Sequence, residues 1–245
     1  KQFSGNERDN LSGLIDSLYF EEHIKPIQIK IPENKNILVV TPHPDDETLG
    51  CGGLLLQAAK KKCNIHILSL SSGTVEDIET REAELRKSAN DLGVKGITFL
   101  RLNDGLIGNE VTGKNILNNL NQGFHPNIIL IPFILDNHDD HKNANKLLLE
   151  LNSDDKLDIW CYQVYSNVIA NAYCDITEVA DTKYKVLENY SSQLNYFDYV
   201  NWNRGLNAWN SRLSSSKNQK YIESYYIVPG NDYVKLCQNY FNNNA

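Results

Sequence analysis

The chain of 245 residues contains no methionine and no apolar run approaching 18 residues, so no segment reads as a membrane-spanning helix. Basic blocks are missing too. The longest is Lys60-Lys61-Lys62, and 24 Lys and Arg against 31 Asp and Glu leave a net charge of −7, a balance that argues against a nucleic-acid surface. The cysteines (Cys51, Cys63, Cys161, Cys174, Cys237) are odd in number and lack CxxC spacing, which disfavours a disulfide framework and a cysteine-type zinc site. Cys51 and Cys63 read as ordinary buried thiols, and free thiols suit a cytoplasmic protein. No signal peptide is visible, although a chain that begins at Lys1 leaves open the removal of a leader. There are no internal repeats and no linker. The length suits a single α/β domain, expected over residues 36–245 behind an N-terminal extension of residues 1–35.

What the chain does have is one pattern used twice. The apolar run Ile37-Leu-Val-Val-Thr41 ends at Pro42, a turn carries His43, Asp45, Asp46 and Glu47, and a helix-forming run extends from Leu49 to Lys61. Gly50, Gly52 and Gly53 let that helix approach a sheet closely. Farther along, Asn127-Ile-Ile-Leu-Ile-Pro132 again ends at a proline, and His138-Asp-Asp-His141 precedes a helix predicted over 142–151. Strands at 37–41, 64–70, 97–102, 127–132 and 158–165 predict a Rossmann-like, mostly parallel sheet with helices on both faces and strand order 3-2-1-4-5. Ligands bind beyond the carboxyl ends of such strands, where the winding reverses. The two charged loops should therefore face each other.

The remaining pattern predicts helices over 80–92, 113–121, 183–194 and 198–212, an extended stretch over 172–179, a last strand over 221–228, and a short amphipathic helix from Leu11 to Tyr19. His66 lies inside the second strand and reads as structural. Gly50-Cys-Gly52-Gly53 is not GxGxxG, and the acidic turn before it would repel a pyrophosphate.

Titratable groups packed as densely as His43, Asp45, Asp46 and Glu47 are costly without a cation to offset their charge. A catalytic zinc commonly takes two histidines and a carboxylate and keeps one position open. His43, Asp46 and His141 supply that set. Asp45 and His138 are then left over, the first suited to general-base work and the second to stabilising an oxyanion and protonating a leaving group. This is hydrolytic machinery.

Pro42-His-Pro-Asp-Asp-Glu47, together with His138-Asp-Asp-His141, resembles the LmbE/PIG-L family of zinc-dependent N-deacetylases, whose hallmark is an (Ala/Ser)-His-Pro-Asp-Asp-Glu loop and a later His-x-Asp-His. The similarity extends to Arg81-Glu82-Ala-Glu84, Leu92-Gly93-Val94, Asp104-Gly105, Asp175-Ile176-Thr177, Lys185 and Tyr190-Ser-Ser-Gln193, covering residues 36–228. It implies Zn2+ as the only cofactor, with His43, Asp46 and His141 as ligands, Asp45 as base, His138 as oxyanion stabiliser and Asp140 orienting that histidine. Arg81 and Asp104 match positions near the substrate, an N-acetylated amino sugar or glycoside. A homo-oligomer is compatible with the resemblance. Two departures stand out: Thr41-Pro42 precedes the first histidine, and Asp139 replaces the commoner proline.

Other readings compete. A non-catalytic sugar-binding protein on the same fold would need neither Asp45 nor His138. A Mg2+ phosphoesterase would use Asp45, Asp46 and Asp140, but two histidines at ligand positions favour zinc. Arg81 could instead pair with Glu82 or Glu84 on a helix surface, and Asp104-Gly105 could be a plain turn. The aromatic residues between Tyr196 and Trp209 read as core and lid packing.

Overall fold

The structure is a computed structural model that describes residues 26–74, 77–108, 118–120, 123–151 and 156–242. Strands β1 (Ile27–Gln28), β2 (Asn36–Thr41), β3 (Asn64–Ser69), β4 (Gly96–Phe99), β5 (Ile128–Pro132), β6 (Asp158–Tyr162), β7 (Ala172–Asp175) and β8 (Ile222–Pro229) form one sheet. Its order is β1-β7-β8-β6-β5-β2-β3-β4. The five anticipated strands thus lie in the anticipated order 3-2-1-4-5, with β2 paired to both β3 and β5 in parallel. Only β8 among these strands runs antiparallel to its neighbours, β6 and β7. Ile27 and Gln28, which fall within the expected N-terminal extension, join the sheet beside β7.

Alternation along β2 decides what packs where, since successive strand side chains point to opposite faces. Ile37 and Val39 face a layer built from α1 (Asp46–Lys60), α2 (Ile78–Leu92) and α4 (Ala180–Leu187). Leu38 and Val40 face α3 (Asp139–Ala144) and α7 (Gly230–Asn242). Both faces are covered, as a mostly parallel sheet requires. The short α5 (Ser191–Leu194) and α6 (Tyr199–Asn210) complete the α1 side.

α1 lies very close to the sheet. A Cβ at Gly50 would fall 2.1 Å from Cδ2 of Tyr162, and one at Gly53 would fall 2.5 Å from Cγ2 of Ile176. A buried ion pair is wedged against the same helix: Lys183 Nζ lies 2.9 Å from Glu223 Oε1. Lys183 also donates to the carbonyl of Leu49, while the Glu223 carboxylate accepts the amides of Gly53 and Leu54. Lys185, the lysine that carried the resemblance, is exposed; Lys183 is the buried one.

Several elements differ from expectation. The stretch 183–194 is two helices, because Tyr190 leaves helical geometry (φ −84°, ψ 52°) and sends its hydroxyl to Glu47. The helix expected from Lys142 begins at Asp139 and passes into a 3-10 turn over Asn145–Leu148. There the Asn145 side chain donates to the carbonyl of His141, the acceptor its own amide would use in a continuing α-helix. β4 stops at Phe99, before a left-handed Arg101 at φ 53°. α7 was not anticipated. The amphipathic patch from Leu11 to Tyr19 and most of 113–121 lie outside the described residues.

Candidate metal and catalytic site

The turn after β2 is braced from within. The Thr41 hydroxyl donates to the His43 carbonyl at 2.7 Å, and the His43 amide donates to the Asp46 carboxylate at 3.0 Å. Asp45, at the start of α1, has φ 125°, a conformation that non-glycine residues adopt only when their surroundings enforce it. The enforcing group is Glu47. It is fully buried, accepts the Asp45 amide at 3.2 Å, and receives the hydroxyls of Thr48 and Tyr190. Burial raises its pKa. Glu47 thus faces inward and serves the backbone.

From the other loop, His141 comes within reach of the same turn. Asp46 Oδ2 lies 3.1 Å from His141 Nε2 and 3.5 Å from His43 Nδ1. The outer nitrogen of each ring meets a further carboxylate. His43 Nε2 lies 2.9 Å from Asp104 Oδ1 and 3.1 Å from Asp140 Oδ2, and His141 Nδ1 lies 3.3 Å from Asp136 Oδ1. Metal-bound histidines are typically held in this way, the outer N–H fixed by a carboxylate. Candidate ligand atoms of His43, His138 and His141 all lie within 4.8 Å of one another, as do those of His43, Asp104 and Asp140.

Whether a cation suits this cluster is decided at His141. Its ring is fully buried, and neither nitrogen makes a directed hydrogen bond despite the carboxylates nearby. A buried imidazole without directed bonds is costly, whereas an ion bound at Nε2 would satisfy it. Charge points the same way. Burial alone would lower the pKa of His141, yet the Asp46 and Asp136 carboxylates push it up to about 9. Burial likewise lowers that of His43, but Asp104, Asp140 and Asp46 raise it well above the ordinary value. Asp46 would be raised by burial, but the charge of the close-lying His141 ring and the charge and hydrogen bonding of His43 hold it below the carboxylate range. Where protons now balance these carboxylates, a divalent cation could do so.

Asp45 shares the turn but faces elsewhere. Its Oδ2 lies 3.9 Å from Arg81, whose guanidinium donates to the Pro44 carbonyl at 3.1 Å. Burial, then the neighbouring Asp46 carboxylate, push its pKa up to about 8 against the pull of Arg81 and His43. Arg81 is buried beside the turn and makes no surface pair with Glu82 or Glu84: Glu82 binds Arg101 and Ser72, and Glu84 binds Ser191 and Ser192. The Asp104-Gly105 loop also belongs to the cluster, since Asp104 bonds His43 and is held down to about 2 by that bond.

His138 is half-exposed at the mouth. Its Nδ1 accepts the Asp140 amide at 3.2 Å, which leaves the proton of a neutral ring on Nε2. Burial, then the charges of His141 and His43, lower its pKa. The Asp140 carboxylate, expected to orient His138, is instead on His43 and accepts the amides of Gly105 and Ile107. Only the Asp140 backbone touches His138. The reason is position: as the second residue of α3, Asp140 directs its amide to the helix-capping His138 and its side chain toward the 103–107 loop.

Asp136 was not singled out from the sequence. It is buried, faces His141, and accepts the amides of His138, Tyr165 and Ser166. Its signal was a lone acid closing the apolar run Phe133-Ile-Leu-Asp136. Tyr165 was missed as well; its ring stacks on His141 at 5.3 Å between centroids.

Residues 38–152 match the PIG-L family, described as GlcNAc-PI de-N-acetylase. A diacetylchitobiose deacetylase of Thermococcus kodakarensis is 24% identical over 231 residues, covering 83% of this chain and 86% of that protein. The N,N'-diacetylchitobiose deacetylase of Pyrococcus horikoshii, solved with an inhibitor, superposes with a TM-score of 0.71 at 20% identity over 95% of this chain and 96% of its own. The 4-carboxy-2-hydroxymuconate hydratase GalB of Pseudomonas putida superposes with a TM-score of 0.66 at 18% identity, covering 79% and 96%.

Proposed function

With residues 38–152 a PIG-L family domain, we propose that this protein is a zinc-dependent hydrolase that removes the acetyl group from an N-acetylated amino sugar or glycoside. The names of its deacetylase relatives support the substrate class. The fold by itself does not, since a hydratase shares it. The observation that carries the reading is the division of labour within one turn. Asp46 faces two histidines whose outer nitrogens are backed by carboxylates, while its neighbour Asp45 is buried toward Arg81.

In this reading His43, Asp46 and His141 hold the ion. When bound, zinc polarises an amide carbonyl and acidifies water. Asp45 takes the proton of the attacking water. Burial and the neighbouring Asp46 carboxylate raise its pKa to about 8, which makes it a stronger base than an ordinary carboxylate. His138 acts as a neutral donor, its Nε2–H directed at the developing oxyanion, because its Nδ1 is engaged by the Asp140 amide. Asp45 then returns its proton to the nitrogen as the C–N bond breaks, so acetate and a free amine leave. Arg81 fixes the carbonyl of Pro44 and the direction of Asp45.

Among the described residues no helix is long and apolar enough to cross a membrane. The five cysteines are free and buried, which supports a reducing, cytoplasmic setting. A screen of N-acetylglucosaminides for released amine tests the reading. Release that depends on added zinc is expected, and no release from any of them would overturn it.

A further inference from the structure

We propose that Tyr165 is a positioning residue for the reaction: its ring, set between Trp202 and the histidines of the His138–His141 segment, holds the His138 imidazole in the orientation its role as donor requires. The proposal deepens the deacetylase reading and rests on it for the role of His138. That histidine needs a holder. Its Nδ1 accepts the Asp140 amide at 3.2 Å, and a ring pinned at one atom can still tilt about that bond. The Asp140 carboxylate is engaged elsewhere, by His43 and by the amides of Gly105 and Ile107.

Packing supplies what hydrogen bonding leaves open. Against His138 stand the rings of His43, edge-on at 5.0 Å between centroids, of His141, tilted at 4.8 Å, and of Tyr165, near-parallel at 6.1 Å and 27°. Carboxylates face the outer nitrogens of His43 and His141, so Tyr165 is the neighbour whose own placement has to be explained. The same ring lies 5.3 Å from His141 at 26° and 5.7 Å from Trp202 at 28°, within the spacing at which aromatic pairs attract. At 40% exposed, Tyr165 adds little to the core. Its worth lies in the rings it touches.

Strands β5 and β6 are parallel neighbours, so the loop that carries Tyr165 meets the one that carries His138. Asp136 registers the two. Its buried carboxylate accepts the amides of Tyr165 at 3.0 Å and Ser166 at 3.2 Å from one loop and that of His138 at 3.0 Å from the other, and it faces His141 Nδ1 at 3.3 Å. Trp202 is fixed through α6, whose buried asparagines tie the helix down. Asn203 donates to the Leu49 carbonyl of α1 at 3.0 Å, and Asn210 donates at 2.9 Å to the side chain of Gln163, two residues before Tyr165. Helix, strand end and charged turn form one frame, and a group held in such a frame is in place before substrate arrives.

The test compares zinc-loaded wild type with Tyr165→Leu, Tyr165→Phe, His138→Ala and the Tyr165→Leu/His138→Ala double variant, measuring bound zinc and the kcat and KM of amine release from N,N'-diacetylchitobiose. NMR of the same proteins reads the ring-nitrogen shifts of His138 through its carbon-bound hydrogens. Tyr165→Leu should lower kcat about 10- to 100-fold with KM and zinc content kept, the size of a small misplacement of a catalytic group. Tyr165→Phe, which keeps the ring, should restore kcat to within about 2-fold of wild type, and Tyr165→Leu should cost no more than about 2-fold when His138 is already alanine. His138 should show one neutral tautomer, with its proton on Nε2, in wild type and Tyr165→Phe, and a mixture in Tyr165→Leu. The same loss of kcat in both backgrounds, or kcat kept in Tyr165→Leu, overturns the proposal. So does a Tyr165→Phe as impaired as Tyr165→Leu, which assigns the work to the hydroxyl, or a Tyr165→Leu that loses its zinc, which assigns the ring to His141. Trp202→Leu, which removes the backing ring, is read in the same way if Tyr165→Leu fails to fold. If wild type releases no amine from this or any other N-acetylglucosaminide, the deacetylase reading falls, and the His138 shifts alone decide whether Tyr165 holds that ring.

Discussion

At the scale of single residues, two adjacent aspartates are assigned opposite duties. Asp45→Asn should keep the metal and lose turnover by about 10²- to 10⁴-fold, the usual worth of a general base. Asp46→Asn should weaken metal binding itself and be partly rescued by excess zinc; metal analysis beside turnover separates the two, and the reversed pattern would exchange their roles. Asp136 lies 3.3 Å from His141 Nδ1 and, in the proposed reading, acts through that ring. Asp136→Asn should therefore lower metal affinity about 10- to 100-fold, as loss of a carboxylate behind a ligand histidine does. A competition titration against a chelator measures this, and unchanged affinity would remove Asp136 from the account. That His43, Asp46 and His141 converge was legible because residue type and spacing set them apart in the sequence. The partners of their outer nitrogens were not. Asp104 and Asp140 meet His43 from separate loops, and no local pattern announces that Asp140 turns to His43 and leaves only its amide for His138.

At the scale of elements, α1 carries Asp46 and is held by what it packs on. Gly50→Ala drives a methyl into Tyr162 and should destabilise the protein by about 1–3 kcal/mol through overpacking. Lys183→Met strands the buried Glu223 carboxylate against the helix and should cost about 3–5 kcal/mol. Urea unfolding measures both, and a Lys183→Met variant as stable as wild type would show that the pair is dispensable. The strand order was readable because apolar runs ending at prolines and charged turns recur at the sheet's carboxyl edge. Boundaries set by tertiary contacts were not. Tyr190 breaks a helix to reach Glu47, Asn145 diverts the end of α3, and Arg101 ends β4. α7 was not anticipated, although Tyr233, Leu236 and Cys237 are buried at helical spacing.

At the scale of the whole molecule, the sheet brings the loops after β2 and β5 together because those strands are neighbours, and a cation should bind that junction to the benefit of the fold. Without metal, His141 holds its proton up to about pH 9 in place of 6.5. The stability this lends is complete below the unfolded value and is lost as pH rises through the folded one. Asp45, raised from 3.8 to about 8, has the same sign, since the folded chain again binds the proton more tightly. The melting temperature of chelated protein should therefore fall between about pH 6 and pH 9, and fall less with zinc bound; a rise with pH in chelator would contradict this. The most direct test of the central claim is acetate release from an N-acetylated glucosamine oligosaccharide, followed while zinc is added back to chelated protein. Activity should be absent without metal and climb to a plateau at about one zinc per chain, the stoichiometry of a single catalytic site. Full activity in metal-free protein would contradict the account.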